Sequence, residues 1–247
     1  MTKETQLIMG MPITLIAPDG KNINTAFQKV FQFFHAIDKQ FSPYIDSSEV
    51  SKINAGIITE TEYSTEMKDV LQLSEQTQIE TNGYFNVWHN GIFDPSGIVK
   101  GWAIQKASKL LHEYTNNFYV DAGGDIQTNG VNHEGLPWRI GIRNPFNRHE
   151  NIAIVNLSNY AVATSGTAIR GEHIYNPHTG NSPADILSLS VIAQNILDAD
   201  RIATAAFAMG QSGIRFIEEK PGYEGYMVGS SKQITATSGW KQYEVSP

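Results

Sequence analysis

Residues 161–180 read AVATSGTAIRGEHIYNPHTG, and the reading of this stretch governs what lies on either side of it. The apolar run ending at Ala163 reads as a short buried strand, broken at Thr164-Ser165-Gly166, where two hydroxyls meet a flexible backbone. His173 comes seven residues after Gly166, and Ile174-Tyr175-Asn176-Pro177-His178-Thr179-Gly180 follows it directly. Pro177 biases Asn176 towards an extended conformation, and Thr-Gly is a turn signal. A strand end followed by hydroxyls, glycine, an imidazole and a rigid turn can hold a polar ligand. The same letters also describe a hairpin carrying a surface histidine, and spacing alone leaves both readings open.

Upstream, Gln6 to Ala17 reads as a β-strand bulged at Gly10 and ended by Pro18-Asp19-Gly20. Phe27, Val30, Phe31, Phe34 and Ile37 follow the helical repeat and predict an aromatic core stripe. Phe41-Ser42-Pro43-Tyr44 interrupts that helix. Asp46 with Glu49 resembles a capping box for a short helix through Ile53, closed by Asn54-Ala55-Gly56. A further helix is expected over Ser64 to Thr81, with Met67, Val70, Leu71 and Leu73 inward, then a strand-like run from Tyr84 to Trp88. Phe93 to Gly101 reads as a polar, glycine-containing loop leading into a helix from Trp102 to about Tyr114. Such a loop can bind phosphate through backbone N–H groups, although the Walker A spacing is missing.

Phe118-Tyr119-Val120 predicts a buried strand running into Asp121-Ala122-Gly123-Gly124-Asp125-Ile126, whose paired glycines suit either close ligand approach or a tight turn. Trp138 to Arg143, Ile152 to Leu157, Tyr160 to Thr164 and Leu187 to Ala193 read as strands, the first three successive members of an antiparallel sheet. Asp198 to Gly210 is a helix of small residues, with Asp200 and Thr204 four apart on one face. A carboxylate and a hydroxyl so placed can give two oxygen ligands to Mg²⁺; a capping aspartate and a threonine bonded within its own helix is the other reading. A short helix from Gly213 to Lys220 and strands at Tyr226 to Val228 and Gln233 to Thr237 complete the chain. The pattern predicts an α+β fold, one compact domain over residues 1–247, with helices packed on a mixed, largely antiparallel sheet.

The totals narrow the function. With 18 basic and 25 acidic residues the net charge is -7, which argues against a broad nucleic-acid surface. There is no cysteine, so disulfides, thiolate metal sites and cysteine nucleophiles are excluded. No run reaches the length of a membrane span, and the first ten residues lack the apolar core of a signal peptide. A cytoplasmic location is the resulting expectation.

Taken in order, several blocks resemble the ApbE-type FAD:protein FMN transferases. They are Phe41-Ser42 with Ser51 and Ile53-Asn54; Asp94-Pro95-Ser96-Gly97-Ile98-Val99-Lys100-Gly101; Ala122-Gly123-Gly124-Asp125-Ile126; Thr164-Ser165-Gly166; His173-Ile174 with Pro177 and Thr179-Gly180; and Asp200 through Thr204. The resemblance implies one α+β, T-fold-like unit that binds FAD in a cleft. It implies FAD contacts at Met9, Tyr44, Asn54, Ala55, Ser96, Lys100, Gly123, Asp125, Thr164, Ser165, Gly166 and His173. It also implies Mg²⁺ held by Asp200, Thr204 and a backbone carbonyl of the Gly97–Lys100 loop, assigned to Val99. FMN would pass to a threonine or serine hydroxyl of an acceptor flavoprotein, with AMP leaving and His173 as general base. Lys100 would add positive charge near the pyrophosphate, or be a surface lysine at a helix start; Tyr44 would stack on a ring of FAD, or pack in the core.

The opening motif departs from the family's His-His-Ile-x-Asp-Pro-Arg/Lys-Thr-Gly: Glu172, Asn176 and His178 replace its first histidine, its acid and its basic residue. If the acid orients the histidine, Asn176 weakens the base; if the basic residue touches phosphate, His178 contributes only when protonated. Two alternatives therefore accompany the transferase reading: an FAD pyrophosphatase yielding FMN and AMP, and a non-catalytic FAD-binding protein.

Overall fold

Side chains that alternate between two apolar layers decide the architecture. The computed structural model describes residues 1–147, 149–167 and 174–245. The chain opens with β1 (Thr2–Ile8), β2 (Met11–Ala17), α1 (Ile23–Phe41), α2 (Glu49–Asn54) and α3 (Thr65–Glu80). It continues with β3 (Trp88–His89), β4 (Ile92–Phe93), α4 (Ser96–His112), β5 (Phe118–Ala122), β6 (Asp125–Asn129), β7 (Trp138–Arg143), β8 (Asn151–Leu157) and β9 (Ala161–Gly166). After β10 (Ile186–Ala193), α5 (Ile196–Ala208) and α6 (Gly213–Glu218), the strands β11 (Glu224–Gly229) and β12 (Ile234–Ala236) close the sheet.

Eight strands make one sheet in the order β1-β2-β5-β6-β9-β10-β11-β12, every neighbouring pair antiparallel. On β9, Ala161 and Ala163 enter the helix-side core while Val162 enters a second core on the opposite face. On β11, Met227 and Val228 divide in the same way. This is the two-residue period of a strand buried on both faces. The helix layer is α1, α4 and α5, which pack on one another and on the sheet. The other face is covered by β7 and β8, which form a separate ribbon that β8 extends through an antiparallel bridge from Val155 to Glu244, with Ile140, Ile142, Ala153, Val155 and Leu157 around the buried Trp240. The expected α+β class, with helices packed on an antiparallel sheet, is what is found.

Four readings need correction. The strand expected over Gln6 to Ala17 is a hairpin: Ile8 pairs with Met11, and Met9 and Gly10 turn the chain with φ of 55° and 69°. Positive φ at both turn positions matches the twist of the flanking strands, and a methionine there hid the turn. The short α2 is capped by Ser48, whose hydroxyl accepts from Ser51 N at 3.0 Å, rather than by Asp46. Glu49 instead accepts from the Ser64 backbone N–H at 2.7 Å, tying α2 to the start of α3. The run Tyr84 to Trp88 is a non-helical connection that enters only the two-residue strand β3. Finally, β7 and β8 leave the main sheet and form their own ribbon.

A fifth difference bears on function. The polar loop expected from Phe93 to Gly101 is already helical from Ser96 onwards. It is helical because α5 packs directly on it at Gly101. A Cβ there would lie 2.9 Å from the Asp200 Cβ and 3.0 Å from the Ile196 carbonyl oxygen. Gly101→Ala is therefore expected to push α4 and α5 apart and cost about 1–3 kcal/mol of stability, the range for overpacking. Denaturant unfolding of the variant checks this; a loss under about 0.5 kcal/mol, within the range of a neutral surface change, would refute the close-approach argument.

Candidate functional site

The α4–α5 contact forms the floor of a cavity of about 770 Å³, a size typical of cofactor and small-molecule sites. The first turn of α4 supplies Ser96, Gly97 and Lys100, and α5 supplies Asp200 and Thr204 one turn apart. Asp125 opens β6, directly after the Gly123-Gly124 turn that joins it to β5. Both glycines have positive φ, 66° and 102°, which lets two residues reverse the chain at the cavity edge. At the end of β9, Thr164, Ser165 and Gly166 also face the cavity.

Titratable groups meet at the floor. The Lys100 ammonium lies 2.5 Å from Asp125 Oδ2 and 3.6 Å from Asp200 Oδ1. Asp200 is 3 % exposed and Asp125 2 % exposed. Each carboxylate also holds backbone: Asp200 Oδ2 accepts from Gly101 N at 2.8 Å, and Asp125 Oδ1 accepts from Thr164 N at 3.0 Å. One lysine thus faces two buried carboxyl groups. Burial pushes the Asp200 carboxyl up to about 7, and Asp125 adds to the rise, while Lys100 and the Gly101 N–H oppose it.

The donor set fits Mg²⁺. A carboxylate at Asp200 and hydroxyls at Thr204 and Ser165, whose oxygens are 3.4 Å apart, are the hard oxygen ligands this ion prefers. A second positive charge would also balance the second carboxylate. Among the described residues no group of three His, Cys, Asp or Glu side chains could hold a metal. The remaining ligands would therefore be carbonyls, water or substrate phosphate, as is usual for Mg²⁺. Val99, whose carbonyl was the expected third ligand, lies within α4 with its side chain buried.

Of the expected FAD contacts, Ser96, Lys100, Gly123, Asp125, Thr164, Ser165 and Gly166 face the cavity together. Lys100 is no free surface lysine, since its ammonium is paired with buried carboxylates. Met9, Tyr44, Asn54 and Ala55 are not in the cavity wall. Met9 turns the first hairpin, and Tyr44 is 92 % exposed beyond α1, so it neither packs in the core nor reaches this cavity. Asn54 braces β4, accepting from Phe93 N at 2.7 Å and donating to the Phe93 carbonyl at 2.9 Å, while Ala55 ends α2. His173 lies outside the described residues, as does Glu172.

The cavity wall also holds residues the sequence reading passed over. Asp121 accepts from Gly124 N at 2.8 Å and from the Tyr119 hydroxyl at 3.3 Å. Burial raises its carboxyl above the ordinary range, and neighbouring Asp125 adds to this while Arg143 opposes it. Its signal was strand parity, which sets Asp121 with Tyr119 on the face opposite Val120. Arg139 and Arg143 line the cavity from β7, where they alternate with buried Trp138, Ile140 and Ile142.

These features define a mixed α+β protein with a carboxylate- and hydroxyl-floored cavity at a helix N-terminus. The profile of the ApbE family matches residues 9–93 and 89–227, and the chain belongs to that family. Its relatives include an FAD:protein FMN transferase of Vibrio cholerae, 29% identical over 164 residues, which are 62% of this chain and 48% of the relative. Another is the FAD:protein FMN transferase of Escherichia coli K12, 28% identical over 167 residues, again 62% of this chain and 48% of the relative. The matched region thus spans about half the length of those relatives. Among solved structures, the ApbE protein of Thermotoga maritima superposes with a TM-score of 0.87 at 21% identity, covering 99% of both chains. The flavin transferase ApbE of Vibrio cholerae gives 0.83 at 22% identity, covering 98% of both.

The burial of Asp200 has a measurable consequence. The unfolded chain releases this proton near 3.8 whereas the native state keeps it to about 7, so native stability falls as pH climbs through that window. In EDTA, Asp200→Asn is expected to gain stability relative to wild type as pH rises from about 4 to about 7, because it removes that penalty. Adding Mg²⁺ is expected to raise the Tm of wild type and leave that of Asp200→Asn unchanged. Equal Mg²⁺ shifts in the two proteins would remove Asp200 from the metal site.

Proposed function

We propose that this chain transfers FMN from FAD to a threonine or serine hydroxyl of an acceptor protein, releasing AMP. The observation that carries the proposal is the convergence of Lys100, Asp125, Asp200 and Thr204 beneath the N-terminus of α4. The names of its relatives point the same way. A pyrophosphate lying on this floor would meet the positive end of the α4 dipole and the Lys100 ammonium. Asp200 and Thr204 would hold Mg²⁺, which supplies charge neutralisation at the phosphate oxygens. The acceptor oxygen forms a bond to the FMN phosphorus as the bond to the AMP oxygen breaks, and AMP leaves with that electron pair. His173, next in sequence to the cavity-facing Ile174, is the proposed base for the hydroxyl proton. Ser165, Thr164 and the Gly123-Gly124 turn would bind the polar parts of FAD. The single-domain organisation over 1–247 and a cytoplasmic location belong to the same reading; cell fractionation tests the latter.

The test is AMP release from FAD by the purified chain with Mg²⁺, with EDTA, and with Asp200→Ala. Mg²⁺-dependent AMP accompanied by a flavinylated acceptor is expected, with a loss of at least about 100-fold in Asp200→Ala, the scale of removing a strong electrostatic contact. AMP formed equally well without any acceptor would make the chain an FAD pyrophosphatase. Tight FAD retention with no AMP, across several acceptors, would make it a flavin-binding protein and sink the transferase reading.

A further inference from the structure

One wall of the cavity is built without regular secondary structure. It is the segment from residue 174 to 182, of which Ile174, Tyr175, Pro177, Gly180, Asn181 and Ser182 face the cavity. Its own bonds fold it into a turn: the Asn176 carbonyl accepts from Gly180 N at 2.8 Å, and Asn176 N donates to the Asn181 carbonyl at 2.9 Å. The Asn176 side chain is occupied within the turn, accepting from His178 N at 2.9 Å.

Two aromatic contacts tie this turn to the stretch that follows α3. Tyr175 packs against His89, ring centroids 3.8 Å apart and planes tilted by 43°, and its hydroxyl donates to the Trp88 carbonyl at 3.1 Å. His178 makes the second. Its ring meets Tyr84 edge-on at 4.5 Å, and its Nε2 lies 3.0 Å from the Asn82 carbonyl oxygen. Since a carbonyl only accepts, Nε2 carries the hydrogen. The ring also rests on Gly83, where a Cβ would come within 3.3 Å of Cε1. Asn82 and Gly83 both have positive φ, 51° and 82°, so a sharp turn and a bare backbone together make the seat. His178 itself is not part of the cavity wall.

We propose that His178 is a positioning residue: seated on Asn82, Gly83 and Tyr84, it pins the 174–182 turn in place as a wall of the FAD cavity and does not contact FAD. This rests on the functional reading above for the identity of the ligand. What the seat requires is an N–H of the right reach, since the acceptor is a neutral carbonyl. A positive charge at His178 is not needed, and the wall stands with a neutral imidazole.

The test uses the full chain as wild type, His178→Ala and His178→Gln, the last keeping an N–H donor. Amide hydrogen exchange of the peptide covering 174–182 and FAD affinity, with Mg²⁺ present, are both read. In His178→Ala the exchange of this peptide is expected to quicken about fivefold with the other peptides unchanged, and FAD to bind about fivefold more weakly, the scale of one lost hydrogen bond. His178→Gln is expected to recover most of both. Unchanged exchange in His178→Ala would overturn the proposal, and so would quickened exchange with unchanged FAD affinity. Loss of FAD affinity in both variants with exchange unaltered would overturn it in favour of direct contact by the imidazole. If wild type binds no FAD, the functional reading fails, while the exchange comparison still decides whether His178 holds the turn.

Discussion

Two buried carboxyl groups and the half-buried ammonium they share, where α4, α5, β6 and β9 meet, are the constraint on which the rest of this structure depends. Removing such charges from water costs several kcal/mol each unless they are paired and hydrogen-bonded. Lys100, Asp125 and Asp200 meet that condition by sharing one cation and by drawing backbone N–H groups onto the remaining oxygens. Those N–H groups come from α4 and β9, so the ionic cluster also sets the distance between helix layer and sheet. The cluster holds one cation to two carboxyl groups, and burial, with Asp125 adding to it, raises the Asp200 carboxyl. A floor with two carboxyl groups to one cation fits a metal ion.

The sheet places this floor in reach of solvent. The central strands β6, β9, β10 and β11 bury both faces, one under helices and one under the β7–β8 ribbon. At the end of β9 the two faces come together: Thr164 follows the parity of Val162 towards the ribbon side, while Ser165 follows Ala163 towards α5 and reaches Thr204. Hydroxyls from opposite faces of one strand therefore line a single cavity. Extending the apolar alternation by two residues would fill that space, so the change from Ala163 to Thr164-Ser165-Gly166 is what opens it.

Much of this was legible in the sequence, and the limits have physical causes. The α1 stripe was readable because its apolar positions repeat at the helical period. The helix α3 was less fully so because Ser74 and Thr77 take buried positions, and α5, buried nearly all round, was readable from its small residues closed by Gly210. Asp200, Thr204 and Thr164-Ser165, which stood out as polar residues interrupting small or apolar runs, do line one cavity. The start of α4 was not legible. Pro95, Ser96 and Gly97 carry loop propensity, and only tertiary contact accounts for two glycines in this helix: Gly97 beside Phe85 and Thr204, Gly101 beside Asp200. Asp121, Arg139 and Arg143 were invisible for a related reason, since their value depends on how the β7–β8 ribbon folds over the sheet. The exposure of Tyr44 was not legible because an aromatic beside a proline break looks the same whether it faces a ligand, a core or solvent.

The opening motif shows how a substitution can change charge and keep geometry. Asn176 and His178 read as losses when the replaced acid and base are assumed to act on substrate. In the folded chain Asn176 uses a side-chain oxygen to accept from His178 N, a task an aspartate oxygen performs equally well. The imidazole of His178 approaches a neutral carbonyl on the far side of the wall, where a donor matters and a full charge does not. Neither substitution touches the Lys100, Asp125 and Asp200 cluster, where ionisation does matter. These two departures therefore fall in the turn that walls the cavity, away from the Lys100, Asp125 and Asp200 floor.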